Sequence, residues 1–228
     1  MTRPLVVLRP EPGLAVTLAT ARAGGMEALG SPLFAVAPAP WTPPDPAAFD
    51  AVLAGSSNAF RHGGAALSRY AHLPVQAVGE ATADLAREKG FRVARTGRGG
   101  LQELLGDRRA PGRRYLRLAG EAHVALTAPP GTTIETVVVY RTRPLPLGDA
   151  AAKALRGGAV TLLHSGEAAR RLGEECDRLG IERGGIVLAA LGPRIAALAG
   201  GGWAGVAVAP APRDAELLAL AGELCQTT

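Results

Sequence analysis

Small polar residues and glycines stand directly after several predicted strands, at points where helices are expected to begin. These residues are Ser56, Ser57, Asn58, Gly79, Thr82, Gly120, Ser165, Gly166 and Gly192. The first N–H groups of a helix are unpaired and carry the positive end of its dipole, so such turns suit anions. Singly, Ser, Thr and Asn are ordinary helix caps. Their recurrence indicates a ligand with several carboxylate or phosphate groups.

Patterns for other chemistries are incomplete. RTGRGG at 95–100 resembles a dinucleotide turn, but position 102, where the last glycine would fall, is Gln102. No GxxxxGK[ST] occurs, and neither Ser57 nor Ser165 lies in G-x-S-x-G. The histidines at 62, 72, 123 and 164 show no metal spacing and are expected to be surface or cap residues. We expect no nucleotide, metal or other cofactor.

Composition narrows the class of partner. The chain of 228 residues has a formal net charge of +5, and only Lys89 and Lys153 among its 25 basic residues are lysines. Guanidinium groups pair well with carboxylate and phosphate. Aromatic residues make up 4% of the chain, and no block of five or six basic residues occurs, so a nucleic-acid partner is not expected.

The two cysteines and the apolar runs bear on the compartment. Cys176 and Cys225 stand alone, as is typical of a reducing environment. The first apolar run is cut by Arg9 and Pro10, and no apolar run reaches the roughly 18 residues of a membrane helix. The expectation is a soluble, cytoplasmic protein without a membrane partner, and a monomer because no exposed apolar helix stands out.

Short apolar runs alternate with stretches of helical spacing, which predicts an α/β fold with parallel sheets and helices on both faces. The predicted strands are Leu5–Leu8, Ala51–Ala54, Val75–Val78, Phe91–Ala94, Tyr115–Leu118, Val137–Tyr140, Ala159–Leu163, Ile186–Ala190 and Gly205–Ala209.

Two breaks predict two domains. Residues 35–46 contain five prolines, which no regular element accepts in its interior, and a second break lies at 141–149. A β-rich segment precedes each break. We therefore expect residues 1–36 plus 143–228 to form one discontinuous domain and 38–140 the other, joined by linker segments at about 34–40 and 136–143. The polar turns of both domains would face a shared cleft.

An internal repeat supports this division. VGEATADLAREKGFRV (78–93) resembles LGPRIAALAGGGWAGVAV (191–208), AVLAGSSNAF (51–60) resembles VTLLHSGEAA (160–169), and VVLRPEPG (6–13) resembles YLRLAGEA (115–122). Arg9 and Arg117 are 108 positions apart, as are Ser57 and Ser165, whereas Gly79 and Gly192 are 113 apart. Three matches in one order indicate two copies of a similar α/β unit.

Over nearly the whole chain these segments resemble the uroporphyrinogen-III synthase family. The likeness rests on LRPEPG, SSNAF, VGEATADLAREKGF, LRLAGE, VVVYRTRP, LLHSGEAARRL and LGPRIAAL, in that order. The resemblance implies two α/β lobes, the outer one discontinuous, and a cofactor-free lyase. That family dehydrates and cyclises hydroxymethylbilane to uroporphyrinogen III with inversion of the last pyrrole ring. The substrate's eight carboxylates would explain the anion-binding turns.

The resemblance also implies roles for particular residues. Tyr140 matches the family's linker tyrosine and would help the terminal hydroxyl leave as water. Thr82 matches a threonine of the VGxATA turn and would bind a side-chain carboxylate. Where the family can carry a threonine in the second lobe, this chain has Arg194 or Ile195, and Arg194 could bind a carboxylate directly. Arg9, in the LRPEPG segment, is a further expected substrate-binding residue.

Two other classes remain open from the sequence. A non-catalytic two-lobed binder or sensor of small anions would use the same turns but would not need a linker tyrosine. A nucleotide-dependent enzyme on a doubly wound fold would need the glycine patterns that fail here.

Overall fold

The computed structural model describes residues 2–97, 100–105 and 112–226, in which strands and helices alternate along the chain. The strands are β1 (Leu5–Val7), β2 (Ala28–Gly30), β3 (Phe34–Pro38), β4 (Ala51–Ala54), β5 (Val75–Val78), β6 (Val93–Gly97), β7 (Arg114–Gly120), β8 (Thr133–Pro144), β9 (Val160–Leu163), β10 (Val187–Ala190) and β11 (Gly205–Val208). The helices are α1 (Gly13–Ala23), α2 (Asn58–His62), α3 (Glu80–Glu88), α4 (Leu101–Leu105), α5 (Asp149–Arg156), α6 (Gly166–Leu179), α7 (Pro193–Leu198) and α8 (Asp214–Gln226).

The chain divides into two units. Unit 1 comprises residues 1–35 and 144–228, and unit 2 comprises residues 36–143. Each unit contains one sheet, with the order β11-β10-β9-β1-β2 in unit 1 and β3-β8-β7-β4-β5-β6 in unit 2. The predicted fold class, two parallel-sheet α/β units of which the first is discontinuous, is confirmed.

Helices cover both faces of the sheet in unit 1. Successive residues of a strand point to opposite faces. Accordingly, Leu5 and Val7 pack with residues of α1 and α8, whereas Val6 packs with residues of α5 and α6. All three are fully buried. Such continuous apolar strands are typical of a parallel sheet covered on both sides.

The two faces of the sheet in unit 2 are covered unequally. Val52 and Leu116 face α2 and α3, in a core that includes Phe60 and Phe91. On the opposite face, Leu53 and Tyr115 pack against α4. The segment from 121 to 132, between β7 and β8, contains no helix. Less of this second face is therefore covered.

The repeat predicted from the sequence is visible in the sheets, but its halves are interleaved. The order β11-β10-β9-β1-β2 of unit 1 corresponds strand for strand to β6-β5-β4-β7-β8 of unit 2. The matched pairs β1 and β7, β4 and β9, and β5 and β10 thus occupy equivalent positions. Of the five equivalent strands, unit 1 has β1 and β2 from the first copy of the repeat and β9 to β11 from the second. Unit 2 has β4 to β6 from the first copy and β7 and β8 from the second.

Strand register corrects two of the predicted matches. Leu5 lies beside Val160 in unit 1, and Tyr115 lies beside Ala51 in unit 2. Because Ala51 and Val160 are equivalent, Tyr115 corresponds to Leu5. Arg117 therefore corresponds to Val7 and not to Arg9. The same equivalence of Ala51 and Val160 makes Ser165 correspond to Ser56 and not to Ser57, so neither 108-residue spacing joins equivalent positions.

Other differences from the predicted elements are local. Strand β2 was not predicted, because three residues between turns give too short a pattern. The strand expected at Phe91–Ala94 begins at Val93, since Phe91 packs in the core against Phe60, with ring centroids 5.2 Å apart. A helix was expected directly after Gly120, but β7 continues through that glycine and no helix follows. Pro129 and Pro130, which disfavour a continuous helix, lie in this segment.

A buried carboxylate ties α6 to the start of α5. Glu175 is fully buried and accepts hydrogen bonds from the N–H of Leu147 (2.8 Å) and from Arg178 (2.7 Å). A second oxygen of Glu175 lies 2.8 Å from Arg171. The hydrogen bond from Arg178 and, after it, the backbone bond from Leu147 lower the pKa of Glu175 from 4.5 to about 2, although burial opposes this shift.

We predict that Glu175→Gln lowers the free energy of unfolding by about 3 kcal/mol at pH 7. The carboxylate contributes stability above its unfolded pKa of 4.5, and this contribution is lost as the pH falls towards about 2. The decline in stability between these pH values should therefore be shallower in the variant. Urea unfolding across that range measures both effects.

Glu174→Gln is the matched control, because Glu174 is exposed on the same helix and also pairs with Arg171. It should change stability by less than about 1 kcal/mol. Equal pH dependence in wild type and Glu175→Gln would contradict the role assigned to this carboxylate.

Candidate functional site

A pocket of about 390 Å³ opens beyond the carboxyl ends of β4 and β7 in unit 2. Strands β4 to β6 wind in one direction from this point and β7 to β8 in the other, which makes it the topological switch point of the sheet. Ligands of open α/β sheets bind at such points. The pocket lies on the less covered face, where unit 1 has α1 and unit 2 has the segment 121–132.

Tyr140 lines this pocket, and its ring packs closely against the backbone of Gly120. The two residues are neighbours in the β8–β7 register, and both line the pocket. A Cβ atom on Gly120 would come within 2.5 Å of Cε2 of Tyr140. The phenol ring also lies near the imidazole of His62, with ring centroids 6.5 Å apart. A glycine is required here because any side chain would displace the tyrosine ring.

Arg117 is the charged side chain that the described part of the chain contributes to this pocket. It is 6% exposed, and its Nε atom has no hydrogen-bond partner in the described part of the chain. Burial lowers the pKa of the guanidinium, and the nearby phenol of Tyr140 opposes that shift. Sequence reasoning did not select Arg117 as a site residue. The available signal was an arginine inside the otherwise apolar strand YLRLAG.

One wall of the pocket is formed by the segment that replaces the helix. Gln102 of α4 exchanges two hydrogen bonds of 2.9 Å with the backbone of Thr127. The Nδ1 atom of His123 lies 2.7 Å from the carbonyl oxygen of Gly120. Val124, also on this wall, is 80% exposed. Hydrogen bonds at His123 and Thr127 therefore hold this segment in place, and Val124 between them gives an apolar surface that a ligand can contact.

The polar turn after β4 contributes one residue to the pocket. Ser56 lines it, and its Oγ accepts a hydrogen bond of 3.2 Å from the N–H of Asn58. Ser57 precedes α2 without a capping hydrogen bond from its side chain. Asn58 accepts a hydrogen bond of 2.8 Å from Arg61. Of the three predicted residues, only Ser56 lines this pocket.

The turn after β5 lies elsewhere in unit 2. Gly79 has φ +79°, a conformation that favours glycine, and it lines a separate pocket of about 340 Å³ with Glu80 and Thr96. Thr82 is 4% exposed and lines none of the pockets described here. The turn is thus open to ligand at Gly79, whereas the threonine side chain is buried.

Unit 1 has its own pocket at the carboxyl ends of β9 and β10, with a volume of about 410 Å³. Gly166, Gly192 and Arg194 line it together. Arg194 is exposed and has no ion-pair partner within the described ranges. Ser165 caps α6 by accepting a hydrogen bond of 3.2 Å from the N–H of Ala168. Three predicted residues therefore meet here, and Ser165 supports the helix behind them.

Arg9 lies in a polar cluster with a buried histidine. Its Nη1 atom is 2.6 Å from Oδ2 of Asp214, which also accepts a hydrogen bond of 3.0 Å from Thr17. His164, with a side chain that is 8% exposed, has its Nε2 atom 3.3 Å from Oδ1 of Asp214. Burial and the nearby Arg9 charge lower the pKa of His164 to about 4, although Asp214 opposes them.

This arrangement corrects two expectations. His164 is buried, so the surface position expected for the histidines is wrong for this residue. Arg9 is already paired with a carboxylate, and it lines neither of the larger pockets. Arg9 therefore stabilises the switch-point edge of unit 1, and binding of a substrate carboxylate by Arg9 would require competition with Asp214.

The described residues contain neither a membrane-spanning helix nor a cluster of metal ligands. None of the helices in residues 2–97, 100–105 and 112–226 is both long and apolar enough to cross a bilayer. In the same ranges, no three His, Cys, Asp or Glu side chains lie in a group that could hold a metal ion.

Two parallel α/β units, one built from both ends of the chain and each with a pocket at its strand ends, define a two-domain α/β protein of the ligand-binding kind. The family profile of uroporphyrinogen-III synthase HemD matches residues 16–219. The chain therefore belongs to the uroporphyrinogen-III synthase family.

Solved structures of that kind share the fold. Uroporphyrinogen-III synthetase from Helicobacter pylori superimposes with a TM-score of 0.64 at 18% identity, covering 97% of this chain and 99% of that one. A mutant uroporphyrinogen III synthase from the extremely thermophilic bacterium Thermus thermophilus gives a TM-score of 0.54 at 18% identity, covering 98% and 100%. No curated protein matches the sequence significantly.

We predict that Gly120→Ala lowers the free energy of unfolding by about 1–3 kcal/mol, because the added methyl group forces the Tyr140 ring to move. Gly192→Ala is the control, since Gly192 has an extended φ of −166° and no atom lies within 4 Å of an added Cβ. Urea unfolding of both variants tests this. Equal stabilities of the two variants would show that the tyrosine ring is not held against Gly120.

Proposed function

We propose that this protein converts hydroxymethylbilane to uroporphyrinogen III, closing the linear tetrapyrrole with inversion of its last ring. The family match over residues 16–219 is the observation that carries this proposal. In the reaction, the C–O bond of the terminal hydroxymethyl group breaks, water leaves, and a carbon–carbon bond closes the macrocycle. Atoms balance without an oxidant, a reductant or a second substrate.

Tyr140 is the proposed proton donor for the leaving hydroxyl. Its ring lies over Gly120 at the edge of the unit 2 pocket, where a substrate can reach it. A positioned general acid contributes roughly 10²–10⁴ in rate. The remaining acceleration would come from holding the flexible chain with its two ends together.

The proposed contacts for the substrate's carboxylates lie at the strand ends of both units. The N–H groups at Gly166 and Gly192 would bind them as unpaired donors of a turn or first helical turn. The N–H of Gly79 already donates a hydrogen bond of 3.0 Å to the carbonyl of Gly97, so Gly79 would contribute only as an open part of its pocket. Each such contact contributes about 0.3–1 kcal/mol. Arg194 adds an exposed guanidinium at the unit 1 pocket. Thr82 would contribute only if its buried side chain became accessible.

We further propose that the protein acts as a monomer in the cytoplasm. Cys176 and Cys225 are both free and buried, which suits a reducing compartment. Burial raises the pKa of both thiols, so neither is activated as a nucleophile.

The reaction itself is tested with purified protein and freshly made hydroxymethylbilane. After oxidation of the products and separation of the porphyrin isomers, isomer III should predominate. An uncatalysed control without protein should yield the symmetric isomer I. Formation of isomer I alone in the presence of protein would reject the synthase and favour a non-catalytic anion binder.

The role of Tyr140 is tested by Tyr140→Phe, for which we expect kcat to fall about 100-fold with unchanged thermal stability. Tyr70→Phe is the matched control. Tyr70 donates a hydrogen bond of 2.7 Å to the carbonyl of Pro44, away from the pocket, so its loss should lower stability by about 1 kcal/mol and leave kcat unchanged. An unchanged kcat in Tyr140→Phe would remove this residue from the mechanism.

A further inference from the structure

Arg117 is a buried charge that has no counter-charge among the residues the structure describes. The residue is 6% exposed, and no hydrogen bond or ion pair joins its side chain to any described residue. Arg9, at the switch-point edge of unit 1, is by contrast paired with Asp214. Burial of an unpaired charge lowers the stability of the folded protein unless a group of opposite charge binds to it.

The position of Arg117 is explained by the absence of a helix equivalent to α1 from the described residues of unit 2. Its equivalent in unit 1 is Val7, which is fully buried in the core formed with α1 and α8. In unit 2 no helix corresponds to α1, and the pocket of about 390 Å³ occupies that side of the sheet. The strand therefore presents a guanidinium to an open pocket at a position where the other unit presents a methyl group to a helix.

The surroundings of Arg117 select a particular kind of anion. Gly55, Leu118 and Leu126, which also line the pocket, are apolar, and so is the exposed Val124 at its wall. A guanidinium binds a carboxylate through two parallel hydrogen bonds. A guanidinium beside these apolar residues thus suits an organic ring that bears a carboxylate side chain.

We propose that Arg117 binds one acetate or propionate carboxylate of the tetrapyrrole and thereby holds a pyrrole ring beside Tyr140. This inference rests on the proposed function for the identity of the ligand. The shared pocket joins the two residues, since Tyr140, Gly120 and Arg117 all line it. Arg117 is then a substrate-binding residue that sets which ring faces the phenol.

Binding is measured directly with uroporphyrin III, the oxidised product, which keeps the eight carboxylates. By fluorescence titration, Arg117→Gln should bind it about 10- to 100-fold more weakly than wild type. Arg117→Lys, which keeps the charge but not the two-pronged geometry, should fall between them. Arg92→Gln is the control, because Arg92 is exposed in the same unit and its replacement removes the same charge.

Thermal unfolding separates binding from a structural role. Without ligand, Arg117→Gln should melt at or above the wild-type temperature, because an uncompensated buried charge is removed. Uroporphyrin III should raise the melting temperature of wild type and Arg92→Gln but much less that of Arg117→Gln. A variant that melts well below wild type, with unchanged porphyrin affinity, would show that Arg117 is structural and overturn the proposal.

Turnover distinguishes this proposal from the proposed function. In Arg117→Gln, KM for hydroxymethylbilane should rise about 10-fold or more, and isomer I should increase at the expense of isomer III. If wild type makes isomer III and Arg117→Gln has the same KM and isomer ratio, only the role of Arg117 fails. If wild type makes isomer I alone yet binds uroporphyrin III through Arg117, the proposed reaction fails and the carboxylate site stands.

Discussion

Parallel pairing of the strands is the constraint on which the rest of this protein depends. Parallel strands need a crossover between each pair, so the turns that follow the parallel-paired strands lie at one edge of their sheet. Ser56, Gly120 and Tyr140 are far apart in sequence but meet at that edge in unit 2. Gly166, Gly192 and Arg194 meet in the same way in unit 1. The anion-binding character of each edge follows from the unpaired N–H groups that parallel sheets collect there.

The two units differ at their switch points, although their sheets have equivalent strand orders. At the switch point of unit 1, α1 covers the sheet and the cluster of Arg9, His164 and Asp214 satisfies its own charges. At the equivalent point of unit 2, the helix is absent and a pocket remains. The switch point of unit 1 is therefore filled by a helix and a self-paired polar cluster, whereas that of unit 2 keeps a pocket lined by Arg117.

Sequence patterns predicted the strands that lie in the centre of each sheet, because runs such as Ala51–Ala54 are apolar at every position. They also selected Gly120, Tyr140 and Gly192 as site residues from glycine placement and family likeness. They could not reveal that Thr82 is buried or that Arg117 faces a pocket, since both facts depend on whether a neighbouring helix forms. The absence of that helix depends on the segment 121–132, whose apolar residues give a pattern similar to that of a helix.

Because unit 1 is built from both ends of the chain, the strands of unit 2 are synthesised before those of unit 1 are complete. Unit 2 spans residues 36–143 without interruption, so all the strands of its sheet are synthesised before β9. Strand β1 needs Val160 beside Leu5, and at roughly 5–20 residues per second it waits about 8–30 seconds for that partner. During this interval three fully apolar residues of the nascent chain stay without their final neighbour. Until β9 is made, β2 is the one strand of the unit 1 sheet with which β1 can pair.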